Sequence, residues 1–287
     1  VGHQTRLVHS TGGSLAILLE RLFCVQTLER KFCEDQMAHA LTKAQVFHSK
    51  KILFSMNHIT RQLQENGFSI AENVFTDTQI KTVLAEIDRQ RADNFNFRKS
   101  SDLFAIRCFL QEMPAVRELI FTESFRALLS AVHPQARLTK SIYFNKPPQA
   151  NWIVNWHQDL TILVKNKAET EGFAHWTTKG DYYSVQPPIA YSHQTLTFRI
   201  HLDNCDAGNG ALRVIPGSHQ EIRDSKALPS DFFDSETVCE VLQGGVLLMK
   251  PLIWHSSRRT SNARNRRVIH LEFCNMELPQ GLLWQEQ

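Results

Sequence analysis

The second half of the chain is cut into short runs that alternate apolar and polar residues, each stopped by proline or glycine. Leu138 to Lys146 ends at Pro147-Pro148, and Leu212 to Ile215 ends at Pro216-Gly217. Val246 to Met249 and Leu252 to His255 flank Lys250-Pro251, while Thr195 to Asp203 and Arg267 to Phe273 alternate without a break. Trp152 to Leu163 is strand-like around a tight polar insert. A period of two puts successive side chains on opposite faces, which is the signature of a strand and not of a helix. Residues 165 to 190 are polar, carry Gly172, Gly180 and Pro187-Pro188, and read as a long loop. No internal repeat or low-complexity tract interrupts this order.

The region before residue 138 has a different period. Asn57 to Gly67 reads as a polar-faced helix stopped by glycine. Thr76-Asp77 caps a stripe of Ile80, Val83, Leu84 and Ile87 with helical spacing. Residues 114 to 132 form another helical pattern, opened by Pro114. A helical front followed by many short strands predicts an α+β fold, with helices packed outside a β-sandwich or barrel. Residues 1–55 carry no chemical constellation and read as an N-terminal extension to a domain spanning 56–287. Met56 reads as the natural start, so deletion of 1–55 is expected to leave a folded, active protein.

Composition excludes several partners. The hydrophobic share of 42% supports a sizeable core, but no apolar run approaches the ~20 residues of a membrane span. The formal charge is +3 and the basic residues are scattered, so neither nucleic acid nor a membrane surface is expected. Six cysteines form no C-x-x-C pair and no disulfide-like spacing, which suits reduced thiols in a cytoplasmic protein. The oligomeric state is not legible.

The sharpest chemical signal is Asn155-Trp156-His157-Gln158-Asp159-Leu160. In a strand, His157 and Asp159 share a face and Gln158 points away. An imidazole and a carboxylate so placed suit two neighbouring ligands of a metal ion; the alternative is a histidine merely hydrogen-bonded to a nearby acid. Trp254-His255, 98 residues beyond His157, closes an apolar strand, Val246 to Ile253, that returns beside the first strand. Two histidines and a carboxylate on one side of a metal leave positions open, the arrangement of Fe(II) oxygenases. Arg266, eleven residues past His255, falls on the following strand, where its fork suits a carboxylate. Most of Arg258, Arg259 and Arg264 read as a solvated basic loop.

These residues, with Gly210-Ala211-Leu212-Arg213-Val214-Ile215-Pro216-Gly217-Ser218-His219, resemble the phytanoyl-CoA dioxygenase family across about residues 60 to 275. The resemblance implies a double-stranded β-helix (jelly roll) with flanking helices. It implies Fe(II) held by His157, Asp159 and His255, with 2-oxoglutarate and O2 as cosubstrates. It implies that Arg266 binds the distal carboxylate of 2-oxoglutarate, with Arg267 as the one-residue alternative. Oxidative decarboxylation would then give succinate and CO2 as a small organic substrate is hydroxylated. A halogenating relative carries a small residue where Asp159 stands, so the carboxylate favours hydroxylation. Competing readings are a jelly-roll isomerase or hydrolase using another divalent ion, and a ligand-binding protein without catalysis.

Other matching positions carry two readings each. Lys146 either approaches an acidic ligand or ends its strand facing water. Thr197 either lines the pocket or fills the core. Arg199 and His201 replace residues that are apolar or small in many relatives; Arg199 either anchors a substrate carboxylate or faces solvent. Arg107 is a candidate lid contact, and Trp152 and Trp156 either wall the site or fill the core. His219 is not expected to bind metal. The 165–190 segment, with His175, Trp176, Tyr182 and Tyr183, is expected to cover the pocket and set specificity.

Overall fold

Alternation along a strand says that two faces differ, but not what each face meets. A computed structural model describes residues 57–89, 94–99, 103–147 and 153–286. The expectations for 1–55, Met56 and Trp152 lie outside them. The helical residues 57–65 (α1) lead through Gly67 into β1 (Phe68–Ala71). Gly67 has φ +81°, and a Cβ there would stand 2.4 Å from His219 Nδ1, so glycine is required at this stop.

Four helices follow in the described region, with two strands between the first and second. They are α2 (Asp77–Arg89), α3 (Phe109–Glu112), α4 (Pro114–Ile120) and α5 (Glu123–Val132). The two strands are β2 (Phe97–Lys99) and β3 (Leu103–Arg107). Thr76 and Gln79 cap α2 reciprocally, with Thr76 N–H donating to Gln79 Oε1 at 2.8 Å. The single helical pattern expected over 114–132 is two helices. Thr122 breaks it because its hydroxyl accepts from Phe125 N–H and starts a new first turn.

The remaining strands are β4 (Arg137–Lys146), β5 (Val154–His157), β6 (Ile162–Val164), β7 (Ala174–Lys179), β8 (Tyr182–Gln186) and, after α6 (Ile189–His193), β9 (Thr195–His201). They continue with β10 (Leu212–Val214), β11 (Thr237–Val238), β12 (Val246–Met249), β13 (His255–Ser257) and β14 (Arg266–Cys274). A seven-stranded antiparallel sheet runs β1-β12-β9-β14-β4-β3-β2, and a four-stranded one runs β11-β10-β13-β5. Two antiparallel sheets with helices flanking one of them make the expected jelly roll.

The large sheet turns its apolar face to the helices. Phe198 of β9 and Phe273 of β14 pack edge-on at 5.3 Å, and Phe125 of α5 sits 5.7 Å from Phe198. Ile80, Val83, Val116 and Leu128 complete this layer from the helical side. The other face looks toward the small sheet. There Leu247 and Met249 meet Leu212, Val214 and Ile253, while β4, β9 and β14 present charged groups. A bulge between Glu272 and Phe273 of β14 leaves Thr139 as the extra residue on β4. Leu138 can therefore face the helices while Lys140 faces inward.

The expected 165–190 loop is a correction. It contains β7, β8 and α6, and β6-β8-β7 form a third sheet. Its strands were concealed by the polar residues of β7 and by Gly172, Gly180 and Pro187-Pro188 around them, while Val164, Val185, Tyr191 and Trp284 form a separate small core. The stretch 246–253 is also not one strand. It stops at Met249, Lys250 to Ile253 turn, and His255 begins β13 instead of closing β12.

Candidate metal centre

His157 is the last residue of β5 and His255 the first of β13, and the antiparallel register sets them directly opposite each other. Their ring centroids are 4.1 Å apart. Each ring is oriented by a backbone carbonyl two residues earlier. His157 Nδ1 lies 2.8 Å from Asn155 O, and His255 Nδ1 lies 2.9 Å from Ile253 O. A carbonyl only accepts, so each Nδ1 carries the proton and each Nε2 keeps its lone pair for a metal.

Asp159 joins them for a different reason than strand alternation, because β5 has ended two residues before it. Its N–H donates to Pro251 O at 2.9 Å. The preceding Gln158 clips the turn in place: its Nε2 donates to Leu252 O at 2.6 Å and Glu221 O at 2.8 Å, and its Oε1 accepts from Arg223 N–H at 3.0 Å. Asp159 Oδ1 is then 3.9 Å from His157 Nε2, and Oδ2 is 3.7 Å from His255 Nε2. Metal–ligand bonds of about 2.1 Å at right angles put donors about 3 Å apart, so the three side chains close slightly on an ion.

Charge state suits the same role. Burial lowers the pKa of His255 to about 4, so it is neutral, as a ligand must be. Burial opposes the charge of Asp159, but the basic groups His255, Lys140, His270 and His157 outweigh it and hold the carboxyl below its usual range. A second cluster, Asp159 with His270 and Glu272, also comes within 4.8 Å. Its donors are already engaged: Lys140 Nζ donates to Glu272 Oε1 at 2.7 Å, and both nitrogens of His270 are hydrogen-bonded.

The three candidate ligands open onto a cavity of about 280 Å³ between the two sheets. Arg266 lines the same cavity, buried, with Nη1 donating to Gly210 O and, at 3.1 Å, to Ser257 Oγ. Gly210 has φ +77°, and a Cβ there would meet Arg258 O at 2.7 Å and Lys146 Nζ at 3.2 Å. Only glycine lets this carbonyl approach the guanidinium.

The sequence model of the phytanoyl-CoA dioxygenase family matches residues 63–268, a span that includes all three candidate ligands, Arg266 and Arg267. The chain belongs to the phytanoyl-CoA dioxygenase family. Solved structures share its fold. AviO1 from Streptomyces viridochromogenes Tue57 is 21% identical at a TM-score of 0.56, covering 78% of this chain and 96% of that one. The non-heme alpha ketoglutarate dependent carbocyclase SnoK is 14% identical at 0.55, covering 80% and 86%. EctD from S. alaskensis with bound Fe is 16% identical at 0.57, covering 75% of each chain. No curated protein sequence matches the chain.

As a member of this dioxygenase family, the chain is an Fe(II)- and 2-oxoglutarate-dependent oxidoreductase. Its other expected residues fall in different places. Arg267 faces away from Arg266, and its fork is filled by Asp203, with Nε to Oδ2 at 2.9 Å and Nη2 to Oδ1 at 2.7 Å. Lys146 is buried and does not end its strand facing water; its Nζ donates to Arg258 O at 2.6 Å, and burial with Arg266 lowers its pKa to about 8. Thr197 is buried opposite Glu272 in the strand register and does not line the cavity. Arg199 points into the cavity and not to solvent. Trp156 stacks on Phe233 at 5.0 Å and does not line the cavity. Arg107 and the 165–190 segment contribute no residue to the lining of this cavity.

Lys140, His270, Glu272, Ser257 and the Gln158 clip had no counterpart in the sequence reading. A signal existed: His270 and Glu272 alternate with Ile269, Leu271 and Phe273 on β14. Such a polar stripe is ordinarily the solvent face of a strand, and here it is the face of the cavity.

Proposed function

We propose that His157, Asp159 and His255 hold one Fe(II) and that Arg266 receives the distal carboxylate of 2-oxoglutarate. On this reading the dioxygenase hydroxylates a small organic metabolite. The observation that carries it is the placement of a buried guanidinium, with no acid partner among the described residues, in the same cavity as a His/Asp/His set. Burying a cation without a partner is costly, so Arg266 calls for an anion. An isomerase or hydrolase using the three ligands alone supplies none.

Bound iron with 2-oxoglutarate and O2 supplies a two-electron oxidation coupled to decarboxylation to succinate and CO2. The chain's residues do the rest. Asn155 O and Ile253 O hold the protons on His157 and His255 at Nδ1 and so aim Nε2. Gln158 fixes the turn that carries Asp159. Ser257 Oγ and Gly210 O orient the Arg266 fork, and Phe144 and Leu212 contribute apolar lining to the cavity.

Among the described residues no helix is long and apolar enough to cross a membrane. The buried, unpaired thiols of Cys108, Cys205, Cys239 and Cys274 support a cytoplasmic location, and the scattered basic residues support a small-molecule partner over nucleic acid.

Anaerobic titration with Fe(II) and 2-oxoglutarate tests the reading. A weak visible charge-transfer band is expected, with succinate formed on admission of air. His157→Ala and Asp159→Ala are expected to abolish both while the domain stays folded. Folded wild-type protein that gives neither band nor succinate would overturn it.

A further inference from the structure

The cavity holds one more cation than the iron and 2-oxoglutarate chemistry needs. Lys140 is matched by Glu272 at 2.7 Å. Asp159 and the keto acid end of 2-oxoglutarate are committed to the metal, and the distal carboxylate to Arg266. Arg199 remains. It lines the cavity from β9, is buried, and forms no ion pair among the described residues.

Arg199 is also held still. Its Nη1 donates to His270 Nδ1 at 3.0 Å, and His270 Nε2 donates to Glu272 Oε1 at 3.0 Å. The guanidinium carbon lies 5.8 Å from the centroid of Phe144. These contacts fix the plane of the fork but do not fill it, because Arg199 Nε has no hydrogen-bond partner. Buried polar groups in this state are uncommon and point to a ligand that completes them.

We propose that the molecule this dioxygenase oxidises is a carboxylate, and that Arg199 receives its carboxylate group inside the cavity. This rests on the iron reading of the same site. A planar guanidinium with a free edge suits a carboxylate in two parallel hydrogen bonds better than a neutral amide or alcohol. Such a bond would hold a C–H group of a short substrate beside the His157, Asp159 and His255 donors. The cavity of about 280 Å³ limits that substrate to a small one.

The test uses the anaerobic protein loaded with Fe(II) and saturating 2-oxoglutarate, so that the Arg266 site is already filled. Probes are butyrate and benzoate, each against its primary amide, followed by thermal shift and by perturbation of the charge-transfer band. Acids are expected to bind and amides not. Arg199→Met is expected to weaken acid binding by about tenfold or more, and Arg199→Lys by less. The affinity of Arg199→Met for 2-oxoglutarate is expected to stay within about threefold of wild type. Acid and amide binding equally, neither binding, or acid binding undiminished in Arg199→Met would each overturn the proposal. So would a rise of about tenfold in the 2-oxoglutarate Kd of folded Arg199→Met, which would assign Arg199 to the cosubstrate. Failure of wild type to form the charge-transfer complex at all would overturn the iron reading, and this proposal with it.

Discussion

Arg266 and Arg267 are adjacent on β14, so their side chains leave opposite faces, and substituting each with methionine should give opposite outcomes. Arg266 has no acid partner in the described protein, only Gly210 O and Ser257 Oγ at 3.1 Å. Removing it costs one or two neutral acceptors but also removes a buried, uncompensated cation. The unfolding temperature of metal-free protein should therefore change by only a few degrees. With 2-oxoglutarate present, two charge-assisted hydrogen bonds of about 1.5–3 kcal/mol each are lost. That is roughly 3–6 kcal/mol, or a rise in Kd of roughly 10²–10⁴-fold. Arg267 instead makes two side-chain bonds to Asp203, with exposures of 21% and 17% for the two side chains. Its loss should cost roughly 2–4 kcal/mol of stability, the low end reflecting partial solvent screening. For a domain of this size that is roughly 5–15 °C in Tm. The 2-oxoglutarate Kd should be unaffected. Anaerobic charge-transfer titration and thermal unfolding of both variants read the two quantities separately. If Arg267→Met raises the 2-oxoglutarate Kd and Arg266→Met does not, the assignment of faces on β14 is wrong.

Three further outcomes follow from the same geometry. Gln158→Leu removes three hydrogen bonds at the turn carrying Asp159, so stability should fall by about 3 kcal/mol and Fe(II) affinity by about 10–100-fold; calorimetric titration showing unchanged affinity would mean the ligands position themselves. Glu272→Gln leaves the Lys140 ammonium buried without its anion and should cost roughly 3–5 kcal/mol in denaturant unfolding, whereas the double change Lys140→Met with Glu272→Leu should recover most of it. In metal-free protein the His255 pKa of about 4 lies below its unfolded value of about 6.5, so the unfolded chain binds more protons between these limits. The stability of the neutral form is complete above pH 6.5 and is lost as pH falls toward 4, about 3 kcal/mol from this residue. A Tm flat across that range would contradict the burial of His255.

Local patterns were legible wherever one residue's chemistry decides its conformation. The Thr76 cap, the Gly67 stop, the Pro114 start and the breaks at Pro147 and Pro216 could be read because φ restriction and hydrogen-bonding side chains act within a turn. The period of two in β9 and β14 was legible for the same reason. The break at Thr122 and the strands of 174–186 were not, because an amphipathic pattern continues across the first and the second depend on a small core completed by Trp284.

His157, Asp159, His255 and Arg266 are thus set out in the sequence as residue types, spacing and order. Their convergence belongs to the tertiary structure, since His157 and His255 meet only through the pairing of β5 with β13. The tertiary structure alone also decided which face of each strand is the inside. In a jelly roll whose apolar strand faces are covered by helices, the polar faces of β4, β9 and β14 turn inward together. Residues that alternation assigns to water, including Lys140, His270 and Glu272, then become the wall of the site. Arg199, open between solvent and cavity in the sequence, was placed in the cavity by the same packing. Alternation distinguishes two faces, but only the layer that covers one of them determines where the other points.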